Sequence, residues 1–74
     1  MNLKQMEYFV AAAEQLNFTR AAKKCFISQT AMTLQIQSLE EKIGVPLFVR
    51  DKHHVELTAA GKVYLNEARA ILVR

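Results

Sequence analysis

Cysteine is almost absent from this sequence: Cys25 is the only one among 74 residues. That excludes an intramolecular disulfide and a cysteine-based zinc cluster, suits a reducing interior, and leaves a small buried hydrophobe as the plainest role for the thiol. Long apolar runs are missing too. Lys4, Glu7 and Glu14 interrupt the first helical turns, which have neither the apolar core of a signal peptide nor a membrane span. A cytoplasmic location is therefore expected, where the acceptor pattern Asn17-Phe18-Thr19 for glycosylation should be silent. There is no internal repeat, low-complexity tract or interdomain linker. No nucleophile, base and orienting group form a recognisable set, and no glycine loop is suited to cradling phosphate. With a domain too small for a roomy substrate pocket, neither an enzyme nor a cofactor is expected. His53 and His54 are adjacent, so on an extended strand they would point to opposite sides, which argues against a shared metal.

What the sequence does contain is enough apolar matter, 51% of its residues, for one compact core with little surplus stability. Its net charge of +3 favours an anionic partner, though ten basic residues against seven acidic ones is an ordinary imbalance. Organisation carries more information than charge. The stretch Phe18 to Glu40, FTRAAKKCFISQTAMTLQIQSLE, reads as a short helix, a tight turn and a longer helix, which is a helix-turn-helix. Such a pair leaves its second helix free to enter the major groove of DNA.

Ahead of it, Leu3, Met6, Phe9, Val10, Ala13 and Leu16 recur at three- and four-residue steps, the pattern of an amphipathic scaffold helix. Asn17 can cap the second helix, which runs through Lys24 and turns Phe18, Ala21, Ala22 and Cys25 toward the core. Cys25-Phe26-Ile27 forms the turn, without the glycine that such turns often contain. Ser28 caps the third helix, with Ile27 and Met32 placed as a hydrophobic staple. At about 100° per residue, Met32, Ile36, Leu39 and Ile43 form its buried stripe, while Thr30, Thr33, Leu34 and Gln37 point the opposite way. Gly44 and Pro46 stop it. Leu47 to Arg50 and Val55 to Leu57 then flank a polar, basic tip, the mark of a two-stranded wing leaning Phe48, Val55 and Leu57 on the helices. Thr58 can cap a last helix whose apolar circumference exceeds what one small core can hide, so a second copy is expected against it. That helix reaches Arg74 without a stop signal, as expected of a piece of a longer protein.

The order of these pieces, with FTRAA, SQTAM, LEEKIGVPLFVR and ELTAAG at their mutual distances, resembles the amino-terminal DNA-binding domain of LysR-type transcriptional regulators over almost the whole chain. The resemblance implies a mainly α winged helix-turn-helix over residues 1–58, comprising a three-helix core and a two-stranded wing. It also implies that residues 59–74 start a linker and dimerisation helix, and that a small-molecule effector binds a further domain absent from this chain. A homodimer on an interrupted palindrome in double-stranded DNA follows as an expectation. Thr30 and Leu34 depart from the family, which often has proline and arginine there.

The residues assigned to DNA are Thr19, Ser28, Gln29, Thr30, Thr33, Leu34, Gln37, Arg50, Lys52 and His53. Gln29 can form a paired hydrogen bond with adenine, Thr30 and Thr33 can bond phosphate or a base edge, and Leu34 can meet a thymine methyl. The Ser28 end of the helix offers backbone amides to a phosphate. No lysine or arginine lies between Ser28 and Glu41, so the common basic fork to guanine is unavailable from this helix. Arg50, Lys52, His53 and His54 cluster at the wing, where a cation can enter a narrow minor groove; Arg50 matches the family's LFxR arginine. Glu40 and Glu41 are expected to be solvated or paired with neighbours near Lys42. Tyr64, Ala68, Ile71 and Leu72 are assigned to dimerisation. The competing expectation is a winged-helix protein-interaction module that presents Leu34 and the last helix to a protein.

Overall fold

The structure, a computed structural model, describes residues 2–52 and 54–72. Four helices and a hairpin follow in the order α1 (Leu3–Gln15), α2 (Phe18–Lys24), α3 (Gln29–Ile43), β1 (Phe48–Arg50), β2 (Val55–Leu57) and α4 (Ala59–Leu72). Each helix starts where a short polar side chain takes an amide of its own first turn. Asn2 accepts from Gln5 N at 2.8 Å, Asn17 from Arg20 N at 2.9 Å, Ser28 from Ala31 N at 3.0 Å and Thr58 from Gly61 N at 3.0 Å. Caps of this kind stabilise by about 1 kcal/mol each.

The helix ends are set by left-handed residues. Gly44 closes α3 at φ 89° and donates to Glu40 O, while Leu16 closes α1 at φ 48° and donates to Ala12 O. In the glycine-free turn between α2 and α3, Phe26 adopts φ 60°. Its amide donates to Lys23 O at 3.2 Å and that of Ile27 to Ala22 O at 3.0 Å, the bonding of a Schellman motif with phenylalanine in the glycine position. The ring gains nothing from burial there, since Phe26 is 93% exposed.

An aromatic chain ties the elements together. Phe9 of α1 meets Phe48 of β1 at 5.4 Å and the Tyr64 ring of α4 edge-on at 4.9 Å, and Phe48 meets Phe18 of α2 at 5.3 Å. Met32, Ile36 and Leu39 of α3 are buried against this cluster. Ile43 is not: at 39% exposure it corrects the four-residue stripe expected from periodicity. Its angle on the helix matches the other three, but it projects from the last turn into an open groove shared with Val45, Leu47 and Val63. Gln5 is the buried polar member, donating from Nε2 to Gln35 Oε1 at 3.2 Å and so linking α1 to α3.

The wing is antiparallel, with Phe48 opposite Leu57, Val49 opposite Glu56 and Arg50 opposite Val55. Asp51 N donates to His54 O at 3.0 Å to close the tip. Its root is held from two sides. Thr58 donates its amide to Leu47 O and its hydroxyl to Pro46 O, and Glu40 Oε2 accepts from Leu47 N at 2.7 Å and Phe48 N at 3.2 Å. Glu40 is thus not the solvated or lysine-paired residue expected. The chain reverses after Gly44, the first amides of the wing face back toward α3, and a carboxylate one turn before the helix end supplies their acceptor.

Candidate nucleic-acid interface

With Met32, Ile36 and Leu39 turned inward, the opposite face of α3 is fixed. Gln29, Thr30, Thr33, Leu34 and Gln37 line one shallow depression there. Leu34 is 59% exposed, and Thr33 is partly covered. Ser28 Oγ is spent on Ala31 N, which leaves the amides of Gln29 and Thr30 as the outward donors of the first turn. The depression itself contains no cation and no anion. Its chemistry is amide, hydroxyl and aliphatic, suited to base edges and methyl groups more than to bare charge.

Two contacts bring other elements to this face. The Thr19 hydroxyl of α2 donates to Gln29 Oε1 at 3.0 Å, which places the amide of Gln29 in register with the start of α2. The guanidinium of Arg50, on β1, lies 4.8 Å from the ring centroid of Phe18, the neighbour of Thr19. A flat cation resting on an aromatic face keeps its charge while losing freedom. Neither contact was legible from spacing, because each joins residues far apart in the chain.

At the wing tip Lys52 is exposed, and His53 lies outside the described residues. His54, grouped with the basic tip by sequence, has its Nε2 against Glu56 Oε2 of β2. Among the described residues of the tip, Lys52 is the exposed lysine or arginine.

The assignments on α4 divide. Ala68 is 1% exposed, its side chain packed within the chain. Tyr64 and Leu72 also lean on the core, while Ile71 is 52% exposed and Val63 is exposed as well. Helical geometry explains the division: Gly61, Ala68 and Leu72 share the inward direction, Ile71 lies on the adjacent flank, and Val63 points almost directly away from the core. The close approach of α4 depends on Gly61, where a Cβ would fall 2.2 Å from Leu47 O.

The family model for bacterial regulatory helix-turn-helix proteins of the lysR family matches residues 3–62. Over 72 residues the chain is 56% identical to the Hca operon transcriptional activator HcaR of Escherichia coli (strain K12), covering 97% of this chain and 24% of that protein. It is 47% identical over 74 residues to a probable cat1 operon transcriptional activator of Acinetobacter lwoffii, covering 100% and 24%. The chain thus spans about a quarter of the length of these relatives. Among solved structures, a CbnR_DBD-DNA complex superposes with TM-score 0.93 at 46% identity, covering 97% of this chain and 83% of that one. A BenM_DBD/benA site 1 DNA complex superposes with TM-score 0.94 at 38% identity, covering 99% and 82%.

Proposed function

The chain belongs to the lysR family of bacterial regulatory helix-turn-helix proteins, and from that premise we propose that it reads double-stranded DNA, with α3 in the major groove and the wing at the minor groove. The observation that carries this reading is the α3 face: five polar or apolar side chains, none charged, converge beside Thr19 and Arg50 and are left uncovered by the core. Base edges match that chemistry. Gln29 can bond adenine, Thr30 and Thr33 can bond a base or phosphate, and Leu34 fits a thymine methyl, so preference for A·T pairs follows.

The charge that neutralises phosphate has to come from outside this face, with Arg50 and Lys52 the cations that the wing contributes. A regulator of this family would use the domain as a homodimer on an interrupted palindrome, with Val63 and Ile71 the large apolar side chains that α4 leaves exposed. A small effector would act through residues outside this chain. Among the described residues no helix is long and apolar enough to cross a membrane, and no group of three or more His, Cys, Asp or Glu could hold a metal. A cytoplasmic regulator whose DNA-reading domain needs no cofactor is the reading adopted.

The test is selection of bound sequences from a random duplex library, followed by titration at several salt concentrations. An enriched palindrome is expected, with log affinity falling by about 0.9 per neutralised phosphate for each unit of log salt. A slope near zero, or no enrichment, would reject DNA reading.

A further inference from the structure

We infer that Thr19 is a specificity-setting residue that acts through Gln29, an inference that rests on the DNA-reading function proposed above. Thr19 is exposed, so the packing of α2 does not require a threonine there. What its hydroxyl does is bond Gln29 Oε1 at 3.0 Å, across ten residues and from one helix to the next. A threonine side chain has one stiff torsion and a branched Cβ, which makes it a rigid peg on α2. A glutamine side chain is long and mobile, and its terminal amide presents a donor and an acceptor that exchange places when it flips.

The bond to Thr19 restricts where that amide sits: the end of the side chain is tethered beside the start of α2, with Oε1 as the acceptor. The oxygen keeps a second lone pair and the NH2 group its donors, so Gln29 still offers an acceptor and a donor side by side, now at one fixed place. Adenine presents an N6 donor and an N7 acceptor in the major groove, guanine two acceptors, and thymine a single O4 acceptor. An untethered amide can swing to meet any of these patterns, at shifted positions. An amide tethered at one place pairs best with the base whose edge meets both its groups there, so Thr19 narrows the base preference without touching a base.

The alternative role for an exposed threonine at this place is a direct phosphate bond, and the two make different predictions. The base position read by Gln29 is identified as the one at which Gln29→Ala becomes indifferent. There, Thr19→Val, which keeps the shape and removes the hydroxyl, is expected to reduce the ratio of affinities for the preferred and next-best base by about fivefold, the worth of one hydrogen bond. Affinity for random duplex should not change, Thr19→Ser should restore the preference, and Thr19→Val added to Gln29→Ala should have no further effect. Thermal unfolding of each variant checks that the fold is intact. An equal loss on specific and random duplexes, or a loss that persists in the Gln29→Ala background, would overturn the inference and assign Thr19 to phosphate. Failure of the unaltered protein to bind any duplex would instead remove the DNA-reading function, and this inference with it.

Discussion

Glu40 holds the root of the wing: its carboxylate takes the amide of Leu47 at 2.7 Å across the Gly44 to Pro46 reversal, and that of Phe48 at 3.2 Å. One side chain near the end of α3 thereby fixes where β1 begins, and through β1 where Arg50 lies. Glu40→Ala leaves two partly buried amides without their acceptor, and hydrogen bonds to a charged group are worth about 1.5–3 kcal/mol. Unfolding free energy is expected to fall by that amount, read as a lower denaturation midpoint with the slope unchanged, and to fall less in Glu40→Gln, which keeps an oxygen. Equal midpoints for Glu40→Ala and the unaltered chain would show that the carboxylate does not hold the wing.

Phe26 pays the opposite kind of cost. Its φ of 60° is a conformation that L side chains disfavour by about 1–2 kcal/mol, and its exposed ring recovers nothing from the core. Phe26→Gly removes the strain while loosening the unfolded chain, for a net gain of about 0.5–1 kcal/mol in thermal or chemical unfolding. Destabilisation by this substitution would mean that the ring has a contact that compensates for its backbone.

The reading of the sequence succeeded where the physics is local. Asn17, Ser28 and Thr58 announce helix starts because a cap bonds an amide three residues away, and Gly44 announces an end for the same reason. It failed where the partners are distant or where an end of the molecule is reached. Ile43 has the right angle and the wrong depth, since periodicity gives direction but not how far the core extends. For Ala68, assigned to dimerisation on a helix with much of its circumference apolar, only the packing of α4 on α1 and β2 shows how much of that side is already covered. Glu40 is expected from sequence to be solvated or paired near Lys42 because the amides that donate to it lie beyond a turn. At the candidate DNA face, the outward residues of α3 were legible from its stripe, whereas the bonds of Thr19 to Gln29 and of Arg50 to Phe18 have no sequence signature.

Gly61 reverses a familiar rule. A helical glycine replaced by alanine ordinarily gains up to about 1 kcal/mol. Here the new methyl would stand 2.2 Å from the carbonyl oxygen of Leu47 and 2.9 Å from Leu57 Cδ2, so α4 must move away from the wing root. Gly61→Ala is expected to destabilise by about 1–3 kcal/mol, as overpacking does. In a domain of this size that lowers the melting temperature by about 4–8 °C per kcal/mol. A melting temperature raised by the substitution would show that α4 has room to spare.

Tyr64 supplies a pH signature. Its ring packs on Phe9, but its buried hydroxyl has no hydrogen-bond partner among the described residues, and burial pushes its pKa above the ordinary 10.0. In the unfolded chain the phenol ionises at its ordinary value, so above about pH 10 the folded form holds more protons and stability falls as pH rises toward the folded pKa. Tyr64→Phe keeps the ring contact and removes the unpaired oxygen. Stability at pH 7 is expected to be equal or higher, and the alkaline loss to be smaller, in denaturation curves between pH 8 and about 11. An alkaline profile identical in both proteins would assign the loss to other groups.

Arg50 separates charge from geometry. Its guanidinium lies on Phe18, at the junction of the wing with α2, where it can serve a phosphate or the minor groove without being free to wander. Arg50→Ala is expected to weaken specific and random duplexes alike and to reduce the salt slope by about 0.9, the contribution of one phosphate. Arg50→Lys should retain most of that slope, since the charge stays, yet bind less tightly, because an ammonium on a flexible stem does not stack flat on an aromatic ring. Binding titrations across a salt series measure both quantities. An unchanged slope in Arg50→Ala would place the phosphate-neutralising charges on other residues and leave the pair with Phe18 a purely structural contact.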